Sequence, residues 1–129
     1  MRLEISREAL AGIRAEAAAS PDVEVCGLLL GEELRVERVV PCRNVADEPA
    51  IGFEIGPQAL IAAHKAARAG GPAVIGHYHS HPTGRAEPSA RDAAAASGGE
   101  VWVIVTSKEL RAWLAIDEGF AHLPIHPSS

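Results

Sequence analysis

The sequence predicts an α/β or α+β domain: one curved, mostly β sheet with three helices packed around it. Three observations predict this. Short runs rich in Val, Leu and Ile recur along the chain, each bounded by Gly, Pro or acidic turn residues. Three Ala-rich stretches between them are helical in character. The 129 residues are 47% hydrophobic, enough to bury one core and to make residues 1–129 a single domain.

Leu3-Glu4-Ile5 alternates and predicts a short strand. Ser6 is a good cap for a helix over residues 7–19, with Glu8 in its first turn and Leu10, Ile13 and Ala17 on one face. Ser20-Pro21-Asp22 ends it. Residues 23–31 read as a strand buried on both faces, with a turn at Gly31-Glu32-Glu33 and a second hairpin strand over residues 34–40. Residues 41–49 are polar and loop-like. Phe53-Glu54-Ile55 reads as another short strand. Pro57 then opens a helix whose apolar stripe is Leu60, Ile61, Ala63, His64 and Ala67, stopped by Gly70-Gly71-Pro72. His64 reads as a half-buried surface residue. Residues 73–79 form an apolar strand, in which Gly76 permits close backbone approach. A loop over residues 82–88 leads to Ser89, the cap of a helix through Ala93 to Ala96. Residues 101–106 and 108–116 are two more strands, the second with Leu110, Ala112, Leu114 and Ile116 on one face. Residues 120–125 predict a last edge strand, with pairing limited by Pro124. Ser128 and Ser129 are expected to fray.

A formal net charge of -5 argues against a general nucleic-acid binder, since phosphate binding needs clustered Lys and Arg. No run of about 18 apolar residues suggests a membrane span, and the N-terminus lacks an apolar signal core. The expected location is the cytoplasm, where Cys26 and Cys42 would remain free, buried thiols.

The chemistry is concentrated in His79-Ser80-His81-Pro82 and Pro88-Ser89-Ala90-Arg91-Asp92. Residues two apart on a strand project from the same side, so His79 and His81 point together. If the loop turns back, the first turn of the next helix brings Asp92 to both. Two imidazoles and a carboxylate suit zinc, and three protein ligands leave a position open for water, as in a catalytic site. Ser89 shares a helix face with Asp92 and is a candidate donor to a developing oxyanion. Glu24 is an acid in an apolar run. The ordinary place for such a residue is the solvent face, but beside a metal it becomes the candidate general base. His77 shares parity with both histidines. The three span about 13 Å along a straight strand, so His77 is expected to neighbour the site or lie at the surface, and a three-histidine site needs a bend.

These residues resemble the motif of the JAMM (MPN+, JAB-type) zinc metalloprotease family: an upstream Glu, His-x-His-Pro, then Ser-x-x-Asp. Glu24, His79, His81, Ser89 and Asp92 match it, and the likeness runs from residue 24 to about residue 113. The chain looks most similar to the small bacterial members. The resemblance implies a JAMM/MPN-like, cytidine-deaminase-like curved mixed sheet flanked by helices. It implies one zinc ion per chain on His79, His81 and Asp92, a water activated by Glu24, and support of the intermediate by Ser89. It also implies hydrolysis of an amide bond after the C-terminal Gly-Gly of a ubiquitin-like or sulfur-carrier protein. Two other readings stay open: a non-catalytic MPN-type interaction module, and a small-molecule zinc amidohydrolase related to the RadC proteins, whose His-x-His-Pro-x-Gly stretch is similar to the one ending here at Gly84.

Overall fold

The computed structural model describes residues 1–129. Its elements run β1 (Leu3–Ser6), α1 (Arg7–Ala19), β2 (Cys26–Glu32), β3 (Arg35–Cys42), α2 (Pro57–Arg68), β4 (Ala73–Ser80), α3 (Ala90–Ala95), β5 (Val101–Val105), β6 (Leu110–Ile116), β7 (Gly119–Leu123) and β8 (Ile125–Ser128). All eight strands belong to one curved sheet, in the order β7-β6-β5-β4-β2-β3-β1-β8. It is mixed: β4 pairs with β5, and β1 with β3 and β8, in parallel, while the other neighbours are antiparallel. The predicted α+β class and the curved sheet flanked by helices are therefore what the chain adopts. No helix is long and apolar enough to cross a membrane.

Strand parity divides the molecule. Tyr78 on β4 belongs to the main core with Ile13 of α1, Leu29 of β2 and Val101, Val103 and Val105 of β5. Its hydroxyl donates to Glu16 on α1. His77 and His79, one residue to either side, must face the other way. One face of β4 is thus committed to packing and leaves the other for chemistry. Gly76 is required by the β4–β5 pairing, because a Cβ there would sit 1.8 Å from the Val101 carbonyl oxygen. Gly27 leaves room for the Tyr78 ring, which lies 2.3 Å from where its Cβ would be.

Several expectations need correction. The strand expected from residue 23 begins at Cys26, and Glu24 lies ahead of it. Phe53-Glu54-Ile55 is not a strand. Only an isolated bridge joins Asn44 to Ile55, because the Asn44 side chain already occupies the Glu54 amide and the Gly52 carbonyl. The expected last strand is two strands. The chain leaves β6 at Leu123, and the Pro124 carbonyl accepts from the Leu3 amide at 2.9 Å. β8 then pairs with β1 through Ser128, opposite Ser6, so that residue is held and not frayed. On β6 the apolar alternation slips, burying Ala115 and leaving Ile116 48% exposed. On α2 the half-buried stripe is Leu60, Ala63 and Ala67, with Ile61 and His64 exposed.

Candidate metal centre

β4 delivers His79 at its end and His81 just beyond it. Their Nε2 atoms lie 3.1 Å apart. Asp92 reaches them from α3, its Oδ2 at 3.2 Å from His79 Nε2 and 3.1 Å from His81 Nε2. Four tetrahedral ligands at ordinary zinc distances stand about 3.3 Å from one another. The triangle of ligand atoms is therefore already close to the spacing that such an ion demands. Glu24 also belongs here: one of its carboxylate oxygens and the two imidazole nitrogens all lie within 4.8 Å of one another.

Local structure aims each group. His81 Nδ1–H donates to the Arg85 carbonyl at 2.8 Å, which leaves the Nε2 lone pair for the site. The α3 capping box aims Asp92: the Ser89 amide donates to Asp92 Oδ2 at 2.9 Å and the Asp92 amide donates to Ser89 Oγ at 3.0 Å. Ser89 Oγ thus serves the helix cap as an acceptor and keeps its own hydrogen for another partner. Ser80 ties the approach of Glu24 to β4, its Oγ accepting from the Val25 amide at 2.8 Å.

Burial sets much of the electrostatics. Glu24 is 6% exposed, which overturns the solvent-facing expectation, and burial lifts its carboxyl to about 7, against the opposing charge of His81. Its Oε1 has no hydrogen-bond partner in the protein. Burial pushes the Asp92 carboxyl up, yet in the metal-free protein the protonated imidazoles of His79 and His81, donating from Nε2, outweigh it together with the Ser89 amide and hold the group below the usual carboxylate range. Burial, with the charge of His81, holds His79 below its ordinary value against its hydrogen bond to Asp92. For His81 burial acts downward too, but hydrogen bonds to Asp92 and the Arg85 carbonyl prevail and raise it.

His77 is buried, not at the surface. It packs edge-on to Trp102 at 4.3 Å between ring centroids and tilts against Phe53 at 5.0 Å. Burial holds it neutral, with its pKa lowered to about 3, and its Nε2 is not among the converging ligand atoms. It neighbours the centre without joining it. Sequence reasoning missed Phe53, which stacks on His79 at 4.3 Å and 20°, and Asn44, which fastens the segment carrying Phe53. An Asn in a polar stretch signals a turn and nothing more specific. A groove of about 870 Å³ is lined by Asp92, His77, Trp102, Phe53 and Leu60, and by Arg91 and the Gly98-Gly99 turn.

Residues 6–116 match the family described as prokaryotic homologs of the JAB domain. The chain belongs to this JAB family. Among its relatives are a desampylase of Haloferax volcanii, 36% identical over 102 residues (74% of this chain, 73% of that one). Another is a probable TtuB-protein conjugate cleaving protease of Thermus thermophilus, 37% identical over 112 residues (87% and 75%). A JAB1/MPN domain protein of Archaeoglobus fulgidus shares the fold, with a TM-score of 0.62 over 97% of this chain and 98% of that one at 19% identity. This JAB-family chain thus carries a side-chain cluster able to hold a metal ion.

Proposed function

We propose that this JAB-family chain is a zinc isopeptidase. It hydrolyses the amide bond after the C-terminal Gly-Gly of a ubiquitin-like or sulfur-carrier protein and releases what is attached there. One observation carries the proposal: His79, His81 and Asp92 converge at ligand spacing beside a buried carboxylate, Glu24, whose Oε1 has no partner in the protein. His79, His81 and Asp92 would hold one zinc ion per chain. Zinc in such a site supplies Lewis acidity, polarising a carbonyl and bringing the pKa of water toward neutrality.

The chain's own residues do the rest. Glu24, buried beside the histidines, takes a proton from the attacking water and returns it to the departing nitrogen. Ser89 O–H donates to the carbonyl oxygen as negative charge develops there. The groove lined by Asp92, His77 and Phe53 would seat an extended tail as slender as Gly-Gly. The relatives named as a desampylase and as a conjugate cleaving protease support a protein conjugate over a small amide. The proposed setting is the cytoplasm, where Cys26 and Cys42 stay free thiols. Glu24→Gln tests the mechanism. Turnover of a carrier–protein conjugate should fall by about 100-fold or more, the scale of general-base loss, with zinc content unchanged. Undiminished turnover would remove Glu24 from the reaction.

A further inference from the structure

Glu24 must be held by something other than the sheet, because it precedes β2 and no ladder pairing includes it. Both of its backbone groups turn instead to the segment over residues 44–54. Its amide donates to the Pro49 carbonyl at 2.7 Å, and its carbonyl accepts from Asn44 Nδ2 at 2.9 Å. The same Nδ2 donates to the Gly52 carbonyl at 3.0 Å. On the other side of the amide, Asn44 Oδ1 accepts from the Ala46 amide at 3.0 Å and the Glu54 amide at 3.1 Å. Two donor hydrogens and two lone pairs are the whole capacity of an Asn side chain, and all four are used. Each bond goes to a backbone group, so Asn44 fixes the course of the chain around it.

That course reaches the site twice. At one end it holds Glu24. At the other, Phe53 lies between Gly52 and Glu54, both bonded to Asn44, and stacks on His79. Gly52 also lies against Arg91, whose Nε is 3.2 Å from where a Cβ would be. The segment is a strap joining the approach to β2, the end of β4 and α3, and Asn44 is its knot.

We infer that Asn44 is a positioning residue for hydrolysis: it sets the placement of Glu24 relative to His79 by bonding the Glu24 carbonyl and the two residues that flank Phe53. The inference rests on Glu24 being the general base. Asn44 touches no substrate and adds no proton transfer. A base displaced by about 1 Å loses on the order of 100-fold in rate, so its loss falls on kcat.

Two variants and two readouts test this. Asn44→Ala removes all four bonds. Asn44→Asp keeps the acceptor used by Ala46 and Glu54 but turns an oxygen toward the Glu24 and Gly52 carbonyls. Both should lower kcat on a carrier–protein conjugate by about 10- to 100-fold, with KM within about twofold and zinc content unchanged. Hydrogen exchange at the Glu24 amide should quicken in both, in the protein with and without zinc, while the β4 and β5 amides keep their protection and show that the fold survives. Wild-type kcat in either variant, or an equally protected Glu24 amide, would overturn the inference. A wild-type chain that exchanges as described but hydrolyses no conjugate would sink the isopeptidase reading instead. The exchange result alone would then decide whether Asn44 holds Glu24.

Discussion

Glu24 and His81 show how one buried site tunes two groups in the same direction for different reasons. Glu24 is lifted by burial, whereas His81 is raised by its hydrogen bonds to Asp92 and the Arg85 carbonyl in spite of burial. The Glu24 shift has a measurable sign in the zinc-free protein. Its folded value of about 7 stands above the ordinary 4.5, so the folded state keeps a proton that the unfolded chain has lost. That contribution is fully present below the unfolded value and is lost as pH rises through the folded one. Glu24→Gln has no such proton. Denaturant titrations of the zinc-free proteins should therefore show the variant gaining stability on the wild type as pH rises from 4.5 to 7, then a constant difference. A difference that does not change with pH would mean that Glu24 ionises in the folded chain as it does in water. At this scale the sequence is most legible. His79 and His81 point together because residues two apart on a strand must. The burial of Glu24 is not legible, because it depends on Asn44 and Pro49, 20 and more positions away.

Elements carry the site where local rules and distant contacts agree. The short α3 helix is a case in which the rules sufficed. Ser-x-x-Asp is a cap pattern, and the cap that starts α3 also aims Asp92 at both histidines. Ser89→Ala should then cost about 1 kcal/mol of stability, the usual worth of an N-cap, and weaken zinc retention during dialysis against a mild chelator. Full stability and unchanged retention would show that α3 is aimed by other contacts. The strap over residues 44–54 is a case in which the rules misled. Phe53-Glu54-Ile55 has strand composition, but a side chain outbids the ladder for its backbone groups. Pro124 was legible as a limit on pairing. That the chain would change from one sheet edge to the other there was not, because the partner of β8 is β1, at the opposite end of the sequence.

At the scale of the whole molecule, the sheet separates packing from chemistry. The Tyr78 face of β4 meets α1, and the His77 and His79 face meets the groove, the strap and α3. Alternating strands and amphipathic helices made the α+β class readable, but strand order depends on long-range pairing that no local pattern encodes. In the proposed reading, His79, His81 and Asp92, without His77, hold a single zinc ion. Elemental analysis of metal per chain tests it most directly, on protein purified without added metal. The wild type and His77→Ala should each carry about one zinc, and Asp92→Ala should carry little. Stoichiometric zinc in Asp92→Ala, or its loss from His77→Ala, would contradict the claim and move the centre onto the histidines of β4.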